Sequence, residues 1–215
     1  MKKYLHIIPA IIIITGILSG CKKSNDDIPK DYSASVTDKT WSGVFTYTGK
    51  TSEYYSVHFN ADKSLIWSEL AGDFAGTWLV NNKQLTITFS SGSKINADIT
   101  DDNRLINIIA SNKSYMVNSG KLVANPNLPL DNTIWKGTVT SGTSYPLELD
   151  FLPGLKVAIL INKVSQGQFS YKRTAGGAIA VGTGGIGPFF GVIAGDNEMM
   201  GSSAIAATPW QATRQ

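Results

Sequence analysis

"TWSGVFTYTG" (Thr40 to Gly49) and "TIWKGTVTSG" (Thr133 to Gly142) are one pattern written twice, with Trp41 and Gly43 returning as Trp135 and Gly137, 94 positions on. A pattern that recurs at fixed spacing sets the architecture before any local signal does. "ITDDNRLIN" (Ile99 to Asn107) returns at the same spacing as "IAGDNEMMG" (Ile193 to Gly201). Between these anchors Phe59 matches Phe151, and the pair Gly76 and Trp78 matches Gly167 and Phe169, with offsets of 92 and 91 that short loop changes absorb. The chain is therefore expected to hold two copies of one unit.

Inside each copy the apolar residues alternate. Trp41, Phe45 and Tyr47 share a face with Gly43, as do Tyr55, Val57 and Phe59 on the next segment, and Leu85, Ile87 and Phe89 later on. Period two is the mark of half-buried strands. Gly49, Ala61-Asp62, Asn81-Asn82, Ser91-Gly92, Asp102-Asn103 and Asn118 to Gly120 are expected to supply the turns between them. The pattern predicts about eight short strands in Thr40 to Leu122 and eight more in Thr133 to Gln215. Consecutive antiparallel strands can close on themselves and remove both edges, so each copy is expected to be an all-β, up-and-down barrel of about eight strands. The alternative is that both halves share one larger barrel.

The opening Trp-x-Gly strand, the Phe59-Asn60-Ala61-Asp62-Lys63 hairpin, then Gly76-Thr77-Trp78 and "LTITF" resemble the small lipocalin-like domains of bacterial lipoproteins. The second copy departs from that pattern, with Phe151-Leu152-Pro153-Gly154 at the hairpin. It joins the family through the internal repeat. The resulting division is a lipocalin-like domain at 39–123, a proline-containing linker at 124–132 and a second lipocalin-like domain at 133–215.

The N-terminus carries an address. Lys2 and Lys3 precede a mostly apolar run from Leu5 to Leu18, which has the length of a signal-peptide core and is too short for a membrane span. Leu18-Ser19-Gly20-Cys21 resembles the lipobox of bacterial lipoproteins, which implies a signal peptide at 1–20 and a diacylglycerol thioether on Cys21, the chain's single cysteine. A lone exposed thiol would be a liability in an oxidising compartment, whereas a lipidated one needs no disulfide partner. Residues 21–38 read as the lipidated cysteine and a flexible polar tether. The resemblance places the protein at the outer membrane of a Gram-negative bacterium, anchored by lipid and facing the periplasm or the cell surface.

Removing the signal takes Lys2 and Lys3 away and leaves a net charge near +1, with no basic stripe, so nucleic acid is not an expected partner. Histidine amounts to His6, in the signal, and His58, which alternates out of phase with Val57 and Phe59 and is expected to face solvent. No zinc set and no Ser-His-Asp or Cys-His arrangement can be assembled. "DITDDN" (Asp98 to Asn103) fits a turn better than a cation site, because its second copy keeps only Asp196-Asn197. Glu148 and Asp150 share an outward face, opposite Leu147, Leu149 and Phe151. "GTGGIG" (Gly182 to Gly187) formally fits a dinucleotide fingerprint, yet Pro188 follows where a helix is required, so a glycine-rich turn is expected.

No enzyme, cofactor or metal is expected on these grounds. The aromatic residues Tyr54, Tyr55 and Trp67 have no aromatic counterpart in the second copy and are the candidate ligand-binding residues. The expected function is non-enzymatic binding of a small apolar ligand by a lipid-anchored lipoprotein. The alternative is an envelope adhesion or assembly module that binds protein or glycan through exposed loops and aromatics. A cavity of about 300 Å³ or more would favour the first.

Overall fold

A computed structural model describes residues 30–182, 188–203 and 208–215. The lipobox with Cys21 and most of the glycine-rich turn at Gly182 to Gly187 lie outside them. The first copy contains β1 (Lys39–Tyr47), β2 (Ser52–Phe59), β3 (Ser64–Glu69), β4 (Gly72–Asn81), β5 (Gln84–Phe89), β6 (Lys94–Ile99), β7 (Arg104–Ala110) and β8 (Tyr115–Leu122). The second contains β9 (Thr133–Ser141), β10 (Thr143–Leu152), β11 (Lys156–Ile161), β12 (Val164–Arg173), β13 (Ile179–Val181), β14 (Phe189–Gly195), β15 (Glu198–Ser203) and β16 (Thr208–Arg214). Each set pairs antiparallel in sequence order and closes its own barrel, through β1 with β8 and through β9 with β16. Asn118 to Gly120, expected as a turn, lie inside β8, where Ser119 and Gly120 pair with Val44 and Gly43 beside a register shift of the closing seam. Two barrels, and not one larger barrel, result because each set of eight is long enough to seal its own edges.

Alternation decides what enters each core. Trp41 and Phe45 of β1, Tyr55, Val57 and Phe59 of β2, and Leu85 and Ile87 of β5 fill the first barrel. Trp135, Leu149, Phe151, Val157 and Trp210 fill the second. Each such side chain removed from water contributes about 1.5–3 kcal/mol, which makes the period-two pattern the main determinant of register.

The two barrels are plugged at one end in the same way. Asp38 and Asn132 both adopt left-handed backbone angles, φ 54° and 60°. Their amides donate to Phe59 O and Phe151 O, each at 2.7 Å, and the turns drop Val36 and Leu130 into the cores. The flexible tether expected to reach Asp38 therefore ends earlier: residues 32–38 form consecutive turns, with Val36 fully buried and Ser35 O accepting from Trp41 Nε1 at 3.2 Å. The 124–132 linker is its counterpart. Leu128 and Leu130 join the second core, while the Arg173 guanidinium holds the linker through Pro126 O, at 2.7 Å, and Leu128 O.

The strand register also corrects one alignment. Trp78 N donates to Lys63 O at 2.9 Å, and Tyr171 N donates to Leu155 O at 2.8 Å. Trp78 thus corresponds to Tyr171 and Gly76 to Phe169, two positions from the match read by residue type. Geometry agrees, since Phe59 meets Trp78 edge to face at 5.8 Å and Phe151 meets Tyr171 edge to face at 5.2 Å. Lys63 and Leu155 share left-handed backbone, φ 70° and 58°, so the same turn is built from dissimilar residues.

The barrels pack against each other through unlike faces: β1, β2 and β3 of the first meet β14, β15 and the 174–178 turn of the second. This explains why "FFGVIAG" in β14 is apolar on both faces, for Phe189 and Ile193 point into their own barrel while Phe190 and Val192 meet Tyr54 and Leu70. Ser56 and Ser68 point outward yet are buried. Ser56 Oγ donates to Gly176 O at 2.6 Å, and Gly176 N donates to Ser68 Oγ at 3.0 Å. Glycine is required there because a Cβ would lie 2.4 Å from Ser68 Oγ and 2.8 Å from Ser56 O.

Candidate functional site

The first barrel is closed at the Val36 end and hollow at the other. A cavity of about 380 Å³ opens there among the ends of β1, β3, β4, β5 and β8 and the loops that join them. Six aromatic rings line it: Phe45 and Tyr47 from β1, Trp67 from β3, Phe74 from β4, Phe89 from β5 and Tyr115 from β8. Tyr47, Phe74, Phe89 and Tyr115 come from strand ends at which the inward phase continues past the packed core, while Phe45 and Trp67, buried in that core, form the floor. Phe45 sits edge-on to both Tyr47, at 5.2 Å, and Trp67, at 6.1 Å, while Phe89 stands edge-on to Trp67 at 5.7 Å. Ser90, Ser91, Ser93, Asn112 and Ser114 form a polar rim.

One carboxylate belongs to this aromatic wall. Leu65, Trp67 and Glu69 share the inward phase of β3, and Glu69, the last of them, is only 5% exposed. Tyr47 Oη donates to its Oε1 at 2.6 Å and Trp67 Nε1 to its Oε2 at 3.2 Å. Burial raises the Glu69 carboxyl above the ordinary range, the two donors oppose that, and the charge of Glu53 adds to it. Glu53, in phase with Tyr55 and Val57 on β2, is itself 7% exposed and raised by burial, with Lys50 acting against the shift. The phenols respond in kind: burial, then the bond to Glu69, pushes Tyr47 upward, and burial followed by the Glu69 charge raises Tyr115. The Tyr115 hydroxyl is buried without a hydrogen-bond partner.

Of the three residues singled out in the sequence, Trp67 lines the cavity. Tyr55 lies behind it, stacked on the Trp67 ring at 3.8 Å with 7° between the planes, and its hydroxyl donates to Ser119 O at 2.9 Å. Tyr54 points the other way and packs against Ala178, Phe190 and Val192 of the second barrel. None of the three is an exposed surface aromatic. A residue unmatched between the copies marks any difference between them, and one such difference is that the two barrels meet through different faces.

Glu53 and Glu69 escaped the search for paired acids along the sequence because they lie sixteen residues apart. The signal was present in phase: an acid that continues an inward alternation either faces a mouth or costs several kcal/mol. The acids that the sequence did single out are spread over the outside. Asp98 accepts from Asn107 Nδ2 at 2.8 Å, Asp101 from Tyr32 Oη at 3.0 Å, and Asp102 pairs with Arg104 at 2.9 Å around the turn. Glu148 pairs with Lys136 at 3.2 Å. His58 faces outward but is half-buried, with Nδ1 3.0 Å from Thr40 Oγ1. Among the described residues no group of three His, Cys, Asp or Glu is placed to hold a metal.

The second barrel provides an internal comparison. The strand register sets Ile159 opposite Leu149 as Trp67 is set opposite Val57, and Ile161 follows two places on, where Glu69 stands in the first barrel. Ser141 ends β9 as Tyr47 ends β1. Trp210 crosses this interior instead, its ring over Gly191 and Gly201, where a Cβ would lie within 2.8 and 2.3 Å of it. The acid-bearing aromatic wall is thus a property of the first copy. No protein-family model, no curated protein and no solved structure matches the chain.

Proposed function

We propose that the protein is a non-enzymatic lipoprotein of the cell envelope, anchored by lipid on Cys21 at an outer membrane, that holds a small and largely apolar ligand in the mouth of its first barrel. The observation that carries this reading is the cavity of about 380 Å³ walled by six aromatic rings. It falls within the ~300–1,000 Å³ of small-molecule sites and has their composition, apolar walls with a few convergent polar groups. Eight-stranded barrels are just wide enough to be filled by side chains or to hold one small ligand, and the open mouth of the first copy fits the second case. The resemblance to lipocalin-like domains points the same way. Adhesion through surface aromatics has less support, because Tyr54, Tyr55 and Trp67 are turned inward or against the second barrel.

The test is native mass spectrometry of the full chain purified from bacterial membranes. A covalent diacylglyceryl mass on the peptide that begins at Cys21 is expected, together with a small molecule released when the barrels unfold. An unmodified Cys21 would remove the anchor, and a chain that takes up no small molecule even after incubation with envelope extract would remove the carrier.

A further inference from the structure

We infer that the ligand held in the first barrel is an organic cation, an ammonium group on an apolar or aromatic body, with Glu69 as its counter-charge. This rests on the cavity being a binding site. Glu69 is buried in the wall, and its two hydrogen bonds come from neutral donors, Tyr47 Oη and Trp67 Nε1, so its negative charge is solvated but not balanced. Among the described residues no lysine or arginine lines the cavity. Lysines stand beside the mouth, at Lys94 next to Ser93, at Lys113 between Asn112 and Ser114, and at Lys50, whose Nζ lies 5.5 Å over the Tyr47 ring and whose charge acts on Glu53. A second buried acid, Glu53, adds to the negative potential, and Asp73 stands at the rim.

Three ligand classes meet this site differently. A neutral hydrocarbon would fill the volume but strip the remaining water from Glu69 with nothing in return, which is costly for a charged group. An anion would face two carboxylates. An ammonium ion gains the carboxylate inside a wall of aromatic rings, the surroundings that recognise alkylated ammonium groups. The second barrel, with Ile161 in the place of Glu69, lacks this charge.

Equilibrium dialysis of the full chain in maltoside micelles, with free ligand concentrations matched, compares phenyltrimethylammonium with its neutral isostere tert-butylbenzene. The cation is expected to bind at least tenfold more tightly. Glu69→Gln keeps an acceptor for Tyr47 and is expected to weaken the cation about tenfold while leaving tert-butylbenzene within twofold. Equal or tighter binding of the neutral isostere to the unaltered chain overturns the inference and leaves the carrier reading standing; that comparison holds even if the variant folds poorly. Failure of both probes overturns the two together. A Glu69→Gln chain that keeps the full preference for the cation removes Glu69 from the role.

Discussion

Replacing Trp41 or Trp135 by alanine is expected to lower the unfolding free energy by about 3–5 kcal/mol, the usual cost of deleting a fully buried large aromatic side chain. Both rings have no exposed surface. Both are also tied to the segment that plugs their barrel: Trp41 Nε1 donates to Ser35 O at 3.2 Å, and Trp135 Nε1 donates to Thr133 Oγ1 at 2.9 Å, whose hydroxyl in turn donates to Leu130 O. Truncation therefore opens a cavity and frees the plug. Guanidinium denaturation measures the effect, and a loss below about 1 kcal/mol in either variant would mean that the plugged end does not carry the fold.

The glycine two places after each tryptophan is expected to be nearly as sensitive, for a different reason. A Cβ on Gly137 would lie 1.8 Å from Gln211 O and 2.6 Å from the Ala212 Cα, and a Cβ on Gly43 would lie 2.0 Å from Ser119 O. Those atoms belong to the backbone of the closing strand and cannot rotate away, so alanine must push β16 from β9, or β8 from β1, at the seam of the barrel. Gly137→Ala and Gly43→Ala are expected to cost about 3 kcal/mol or more, at or beyond the upper end of ordinary overpacking. Gly49 and Gly142 are the controls. They have open space around them and φ of 76° and 70°, so alanine there meets only the left-handed backbone penalty of about 1–2 kcal/mol. If Gly137→Ala were no worse than Gly142→Ala, close approach at the seam would not explain the Trp-x-Gly pattern.

The fold was legible because a barrel strand has to repeat a simple instruction. Trp41, Phe45, Tyr55, Val57 and Phe59 announce one face, and the copy at 133–215 repeats it well enough to give the strand number and the closure. Register between the copies was less legible, since Trp78 and Phe169 look alike by type whereas hydrogen bonding pairs Trp78 with Tyr171. Side-chain similarity follows the demands of packing, and those differ between a core that holds Trp67 and Trp78 and one crossed by Trp210. The ends of the domains were hidden for a related reason. Val36, Leu128 and Leu130 are single apolar residues in polar or proline-rich stretches, and only the left-handed turns at Asp38 and Asn132 bring them inward.

The site was half legible. Trp67 was reachable as an aromatic without a counterpart, but the same criterion selected Tyr54, which serves the contact between barrels, and Tyr55, which supports Trp67 from behind. Comparing two copies detects asymmetry and does not tell a pocket from an interface. Phase does: Glu69 continues the alternation of Leu65 and Trp67 and therefore ends inside the mouth. An acid in phase with a hydrophobic strand face, near the strand end, is the signal that finds such a site.

If binding belongs to the mouth of the first barrel, the indole N–H signals of the five tryptophans report on it directly. Trp67 Nε1 donates to Glu69 and lies at the cavity, whereas Trp135 and Trp210 lie in the other core. Titration of the full ¹⁵N-labelled chain with phenyltrimethylammonium and with tert-butylbenzene, with the Trp67 signal assigned through Trp67→Phe, is expected to shift that signal while those of Trp135 and Trp210 stay in place. A Trp67 signal that neither probe moves, or a response confined to Trp135 and Trp210, would exclude the mouth of the first barrel as the binding site.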